Sequence, residues 1–145
     1  MRLETAEATE ALGAALAEVL GASDVVALFG DLGAGKTTLA RGLIRGLGFA
    51  GDVASPTFPI VQTYEALRVP VWHVDLYRIE DPAELEELGL DEARIDAALV
   101  IEWPERLGSS LWAEALQLHL TRTPDGARSL TARVPPAWEN RWPLQ

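Results

Sequence analysis

Val25-Val26-Ala27-Leu28-Phe29-Gly30-Asp31-Leu32-Gly33-Ala34-Gly35-Lys36-Thr37-Thr38 couples three local signals in one run. An apolar stretch rich in strand formers leads into Gly30 to Thr37, which fits the pattern G-x-x-x-x-G-K-[ST]. Beyond it Leu39, Leu43, Ile44 and Leu47 recur at helical spacing, and Gly48 stands where a C-cap glycine belongs. Strand, glycine-rich loop and helix are the context in which the pattern acquires a physical job. Successive backbone N–H groups of the loop and helix N-terminus converge on a phosphate, and the helix dipole favours its negative charge. Leu32, Gly33, Ala34, Gly35, Lys36, Thr37 and Thr38 are therefore the expected nucleotide-binding segment. Lys36 reaches the phosphates and the Thr37 hydroxyl reaches Mg²⁺.

Lys36 is the only lysine of the chain; the other fixed cations are arginines. Arginine presents a wide planar fork, lysine a compact rotatable ammonium. A phosphate held in a tight backbone loop has room for the second and not the first. No guanine-reading N-K-x-D sequence is present, which favours ATP over GTP.

Composition narrows the class. A length of 145 residues suits one domain with a real core, and 48% hydrophobic with 23% charged residues is ordinary for a globular protein. Without cysteine there is no disulfide and no thiolate metal site. The N-terminal residues lack the basic-then-apolar order of a signal peptide, and no apolar run approaches the roughly 20 residues of a membrane span. A cytoplasmic location is the expectation. The net charge of −10 argues against gripping a nucleic-acid backbone unaided, so any nucleic acid is expected to be held by a partner protein.

Working outward, residues 5–20 read as an amphipathic helix, with Leu12, Leu16, Val19 and Leu20 on one face. Residues 49–59 are turn-rich, and extended stretches near 60–65 and 70–76 could form a hairpin. Asp81-Pro82-Ala83-Glu84 is a helix start with a cap, a first-turn proline and an acid at the capping-box position; Gly89 ends that helix. Ala97 to Ile101 is a continuous apolar run, as for a strand buried on both faces. Alternation at Leu116, Leu118 and Leu120, and again at Leu130, Ala132 and Val134, flanks the turn Pro124-Asp125-Gly126 and predicts an antiparallel edge hairpin. The expected fold is a three-layer α/β domain spanning 1–145, with a mixed, mainly parallel sheet and an irregular tail over 136–145.

A phosphate loop needs a carboxylate across the metal from its threonine, at the C-terminal end of a buried strand. Two acids fit. Glu102 follows Ala98-Leu99-Val100-Ile101, and Asp75 follows Val71-Trp72-His73-Val74. One or both serve the metal or a water. Ser55-Pro56-Thr57 taken alone is an ordinary turn, but it lies where nucleotide switches place a γ-phosphate sensor.

These segments, with His73-Val74-Asp75-Leu76-Tyr77-Arg78 and Ile101-Glu102-Trp103-Pro104, resemble in order and spacing the bacterial TsaE (YjeE) family. The phosphate loop is common to many NTPases; the later two blocks are more diagnostic. The resemblance implies an ATPase required for N6-threonylcarbamoyladenosine modification of tRNA, acting with the TsaB–TsaD heterodimer and meeting tRNA only through that complex. It implies that Lys36 holds phosphates, that Thr37 and Glu102 hold Mg²⁺, and that Asp75 supports the metal or the attacking water. It places Thr57 in a switch-like loop and Trp103 beside the nucleotide, although a core aromatic is an equal reading of Trp103. Thr9 and Arg128 match family positions that could touch the nucleotide. Pro59 departs from the family pattern. Two other classes share the loop: a small-molecule kinase, and a nucleotide-gated binding module without significant turnover. Slow isolated turnover is expected, because the motifs contain no obvious arginine finger; Arg78 could serve in cis.

Overall fold

A computed structural model of the chain describes residues 1–53 and 60–142. Its centre is a seven-stranded sheet in the order β1-β7-β6-β2-β5-β4-β3. β2 (Val25–Phe29) pairs in parallel with β5 (Ala98–Glu102) on one side and β6 (Leu116–Arg122) on the other. β5 in turn pairs in parallel with β4 (Val71–Asp75). The flanks are antiparallel: β3 (Val61–Tyr64) on β4, β7 (Arg128–Arg133) on β6, and the two-residue β1 (Arg2–Leu3) on β7. The mixed sheet and both hairpins follow the sequence expectation. β1 was not foreseen, because two residues carry no periodicity. It lies on the outer edge of the predicted hairpin.

Both faces of the central strands are covered, which is why their sequences show no alternation. Val26, Leu28, Val100 and Leu118 pack toward α1 (Ala6–Val19) and α2 (Lys36–Gly46). Val25, Ala27, Leu99 and Ile101 pack toward α3 (Pro82–Glu87), α4 (Leu90–Asp96) and the 3-10 stretch Pro104–Ser110. Helices, sheet and helices make the three layers. Thr5 caps α1 by accepting from the Ala8 N–H at 3.1 Å, and Asp81 caps α3 by accepting from the Ala83 N–H at 3.0 Å. Gly89 ends α3 in the left-handed region (φ 69) and at the same residue begins α4, which the sequence reading missed. Only Leu90 of that helix is buried, so its periodic signal is weak.

α1 and α2 approach so closely that glycine is required at the crossing. A β-carbon on Gly13 would meet the backbone of Leu39, and one on Gly42 would meet the Glu10 carbonyl. The C-terminal segment is not loose. After a single 3-10 turn, Pro136–Trp138, the indole of Trp138 is fully buried in the α1–α2 side of the core. Arg141 covers that ring at 3.8 Å and pairs with Asp24 through two contacts of 2.5 and 3.1 Å. Side chains of Trp138 and Arg141 thus pin the described part of this segment to the core.

Candidate functional site

Parallel pairing brings the C-terminal ends of β2, β5 and β4 to one edge of the sheet, where α/β folds place their ligands. The loop Gly30 to Gly35 leaves β2 there. Gly30, Gly33 and Gly35 all have positive φ (150, 80 and 106), a conformation that side-chain-bearing residues avoid. Gly35 is the N-cap of α2 and supplies no side-chain hydrogen bond. The first bond from α2 back to its cap is Leu39 N–H to the Gly35 carbonyl at 3.0 Å. The N–H groups of Lys36, Thr37 and Thr38 precede it and belong to the orphan donors of a helix start.

A cleft of about 470 Å³ opens over this loop. Of the expected residues, Leu32, Gly33, Gly35, Lys36, Thr37 and Thr38 line it from the loop and helix; Asp75, Glu102, Trp103 and Arg128 line the other walls. Ala34 lies behind the loop, buried. Thr9 sits on α1, 1% exposed, and lines a separate cavity of about 220 Å³ that shares Gly35, Thr38 and Arg128 with the main cleft. Thr57 falls outside the described residues, as do Ser55, Pro56 and Pro59.

Lys36 is nearly buried. Its Nζ donates to the carbonyl of Gly30 and lies 3.7 Å from the centroid of the Trp103 ring. Burial pulls its pKa below the ordinary lysine value, against the opposing charges of Glu102, Glu105, Asp75 and Asp31. An ammonium in that position lacks full solvation, and an anion entering the cleft would restore its balance. Trp103 holds its ring there from a strained backbone, since its φ of 59 is a left-handed value rare for a bulky residue. Tyr77 packs against that indole, with ring centroids 4.8 Å apart and the planes tilted by 50°. Arg128 donates to the Gly33 carbonyl at 3.0 Å and Arg122 does so at 3.4 Å, so two arginines of the hairpin brace the loop.

Thr37 Oγ1 is 3.1 Å from each oxygen of Glu102. Glu102 is 2% exposed and stands beside Asp75 in the strand register. The Tyr77 backbone N–H donates to Asp75 Oδ1 at 2.9 Å and fixes that carboxylate. The chemistry of this donor set fits a hard cation. A hydroxyl and a carboxylate converge, and a second carboxylate lies one strand away. No cluster of three or more His, Cys, Asp or Glu side chains suited to a metal occurs among the described residues. A hard cation held by this hydroxyl and carboxylate would complete its shell with further oxygen ligands, as Mg²⁺ does with water.

A family model described as "Threonylcarbamoyl adenosine biosynthesis protein TsaE" matches residues 3–130. The chain belongs to the TsaE family. The tRNA threonylcarbamoyladenosine biosynthesis protein TsaE of Streptomyces coelicolor is 44% identical over 127 residues, covering 83% of this chain and 86% of the relative. The TsaE protein of Bacillus subtilis is 40% identical over 126 residues, covering 86% and 78% respectively. The crystal structure of Bacillus subtilis YdiB matches the fold with a TM-score of 0.82 at 32% identity, over 97% of this chain and 88% of that one. The TsaE family is thus the family of a tRNA threonylcarbamoyladenosine biosynthesis protein, as the sequence blocks indicated. No helix among the described residues is long and apolar enough to cross a membrane.

Sequence reasoning missed three residues at this site. Tyr77 stood in the block from His73 to Arg78 without an assigned role, and Arg122 lies in none of the blocks. His73 stood in the same block, also without a role, yet its Nε2 lies 2.7 Å from Glu102 Oε2. The period-2 pattern of β4, which puts residues 73 and 75 on one face, was the available signal.

Proposed function

We propose that this chain is an ATP-binding and ATP-hydrolysing, Mg²⁺-dependent subunit for N6-threonylcarbamoyladenosine modification of tRNA. It acts in the cytoplasm with a TsaB–TsaD heterodimer and meets tRNA only through that complex. The observation that carries the reading is the convergence on one cleft of the α2 N-terminus, the desolvated Lys36 and the Thr37–Glu102 pair. Membership of the TsaE family supports the biosynthetic role.

In this reading the loop amides and Lys36 bind the phosphates, and Thr37 with Glu102 holds Mg²⁺. The chemistry a bound Mg²⁺ supplies is neutralisation of charge on the phosphate oxygens. Asp75, fixed by the Tyr77 N–H, orients a water toward the reacting phosphate. Trp103 screens Lys36 from solvent, which strengthens its attraction for anions. The small cavity at Thr9 and Arg128 adjoins the loop through Gly35 and Thr38 and suits the rest of the nucleotide. Arg78 also lines the cleft and is the candidate cation for charge that develops during transfer. Phosphoryl transfer of this kind rests on positioning and electrostatics and needs no covalent nucleophile.

The deciding experiment is capture of the chain by a purified TsaB–TsaD pair, with and without ATP·Mg²⁺, alongside a phosphate-release assay. Nucleotide-dependent capture that Lys36→Ala abolishes is the expected result. Capture indifferent to both would remove the gating role. Absence of turnover even with the pair and tRNA present would leave a gated binding module instead of an ATPase.

A further inference from the structure

His73 is fully buried on β4 and is one of two histidines in the chain. Its Nε2 lies 2.7 Å from Glu102 Oε2, while among the described residues no hydrogen-bond partner reaches its Nδ1. Leaving a buried polar atom unpaired costs about 1–3 kcal/mol. An apolar side chain of similar size would avoid that cost in a strand lined by Val71, Val100 and Val26. Packing alone therefore does not account for a histidine here.

The register explains the contact. His73 is paired with Val100 across β4 and β5, and Asp75 with Glu102. Glu102 therefore lies diagonally one step along from His73 on the shared face, within reach of a ring nitrogen. Glu102 is also the acceptor for Thr37 Oγ1. A carboxylate only accepts, so the shared proton belongs to the ring and sits on Nε2. Asp75 is the neighbouring like charge in the register, and like charges side by side push apart. The imidazole thus contacts one oxygen of Glu102, and both oxygens of that group lie 3.1 Å from Thr37 Oγ1.

We propose that His73 is the positioning residue of the metal site, orienting Glu102 through its Nε2–H so that the carboxylate and the Thr37 hydroxyl meet one cation. It does not touch nucleotide or metal. The inference rests on the reading of Thr37 and Glu102 as the Mg²⁺-holding pair. Outer partners of metal-binding side chains commonly change metal affinity by about 10–100-fold when removed.

The test compares wild type, His73→Leu and His73→Gln in equilibrium binding of a fluorescent ATP analogue, titrated with Mg²⁺ or in chelator. Gln places an amide N–H close to where Nε2–H stands; Leu fills the space without a donor. His73→Leu is expected to raise the Mg²⁺ concentration at half-maximal enhancement by about 10-fold or more, with chelator-measured affinity unchanged. His73→Gln should recover most of that shift. An unshifted midpoint in folded His73→Leu overturns the proposal, and so does a His73→Gln variant that behaves like Leu. Should the leucine variant fail to fold, long-range ¹H–¹⁵N correlation spectra of the wild-type protein decide the matter. The Nε2–H tautomer supports the proposal and the Nδ1–H tautomer overturns it. Wild-type binding indifferent to Mg²⁺ would instead remove the metal-site reading, and this inference with it.

Discussion

Lys36 is held by two neighbours that do not neutralise it, the Gly30 carbonyl and the face of Trp103. Burial dominates its shifted proton affinity, so its charge is a cost to the empty fold. The sign follows from linkage. Because the folded-state pKa lies below the unfolded value, the penalty is fully present below the depressed pKa. It is relieved as pH rises through the depressed pKa toward the ordinary lysine value. Replacing Lys36 by Met keeps an apolar stem against Trp103 and removes the charge. Lys36→Met should leave the thermal midpoint of the nucleotide-free protein equal or higher while eliminating nucleotide binding, as calorimetry would measure. A lower midpoint with binding retained would contradict both halves. Lys36→Arg should not rescue binding, since the planar guanidinium does not enter the loop.

At the scale of elements, the site depends on how tightly α2 sits against α1. Gly13 and Gly42 permit that approach, and neither position admits a β-carbon without moving backbone. Gly42→Ala is expected to destabilise by about 1–3 kcal/mol, the usual cost of overpacking, read from urea unfolding. A neutral result would mean that the helices can separate freely. The other dependence is on the β6–β7 turn, whose strands carry the arginines that brace the loop. Asp125 in that turn accepts from Thr123 at 2.5 Å and pairs with Arg2 of β1. Those bonds, Thr123 first, hold its pKa at about 2. A depressed carboxylate contributes stability above its ordinary pKa of 3.8, and that contribution disappears as pH falls toward 2. The group is exposed, so the effect is small. Asp125→Asn should flatten the acid limb of the stability profile in this window, and an unchanged profile would show the bonds do not persist in solution.

For the whole molecule, charge and the tail carry the argument. Eight of the 22 acids fall between Glu80 and Asp96, with Arg94 the only base among them. That segment covers the face of the sheet opposite α1 and α2. An acidic surface of this kind repels a phosphate backbone, so the purified chain should bind tRNA weakly or not at all at physiological salt. Tight binding in a filter assay would overturn the view that tRNA is reached through partners. At the other end, Trp138 fills the core beside α1 and Arg141 ties the tail to Asp24. Trp138→Ala should cost about 3–5 kcal/mol in equilibrium unfolding, as for a large buried aromatic. A loss under 1 kcal/mol would mean that the tail docks loosely.

What the sequence by itself determined was most of the local structure, the short β1 and α4 apart. The loop from Gly30 to Thr37, the helix after it, the Asp81 cap and the strand ending in Glu102 follow from spacings of a few residues. Turn chemistry, capping and periodicity act over that range, so they are readable in one dimension. Lys36, Thr37, Asp75 and Glu102 were legible for the same reason: a glycine-rich pattern and two acids at strand ends. Tertiary structure decided what lies between elements. It set Asp75 beside Glu102, turned His73 toward that carboxylate, closed Trp103 over Lys36 and buried Trp138. These pairs are separated along the chain by many residues, and only burial and strand register bring them together. No spacing rule reports such a contact.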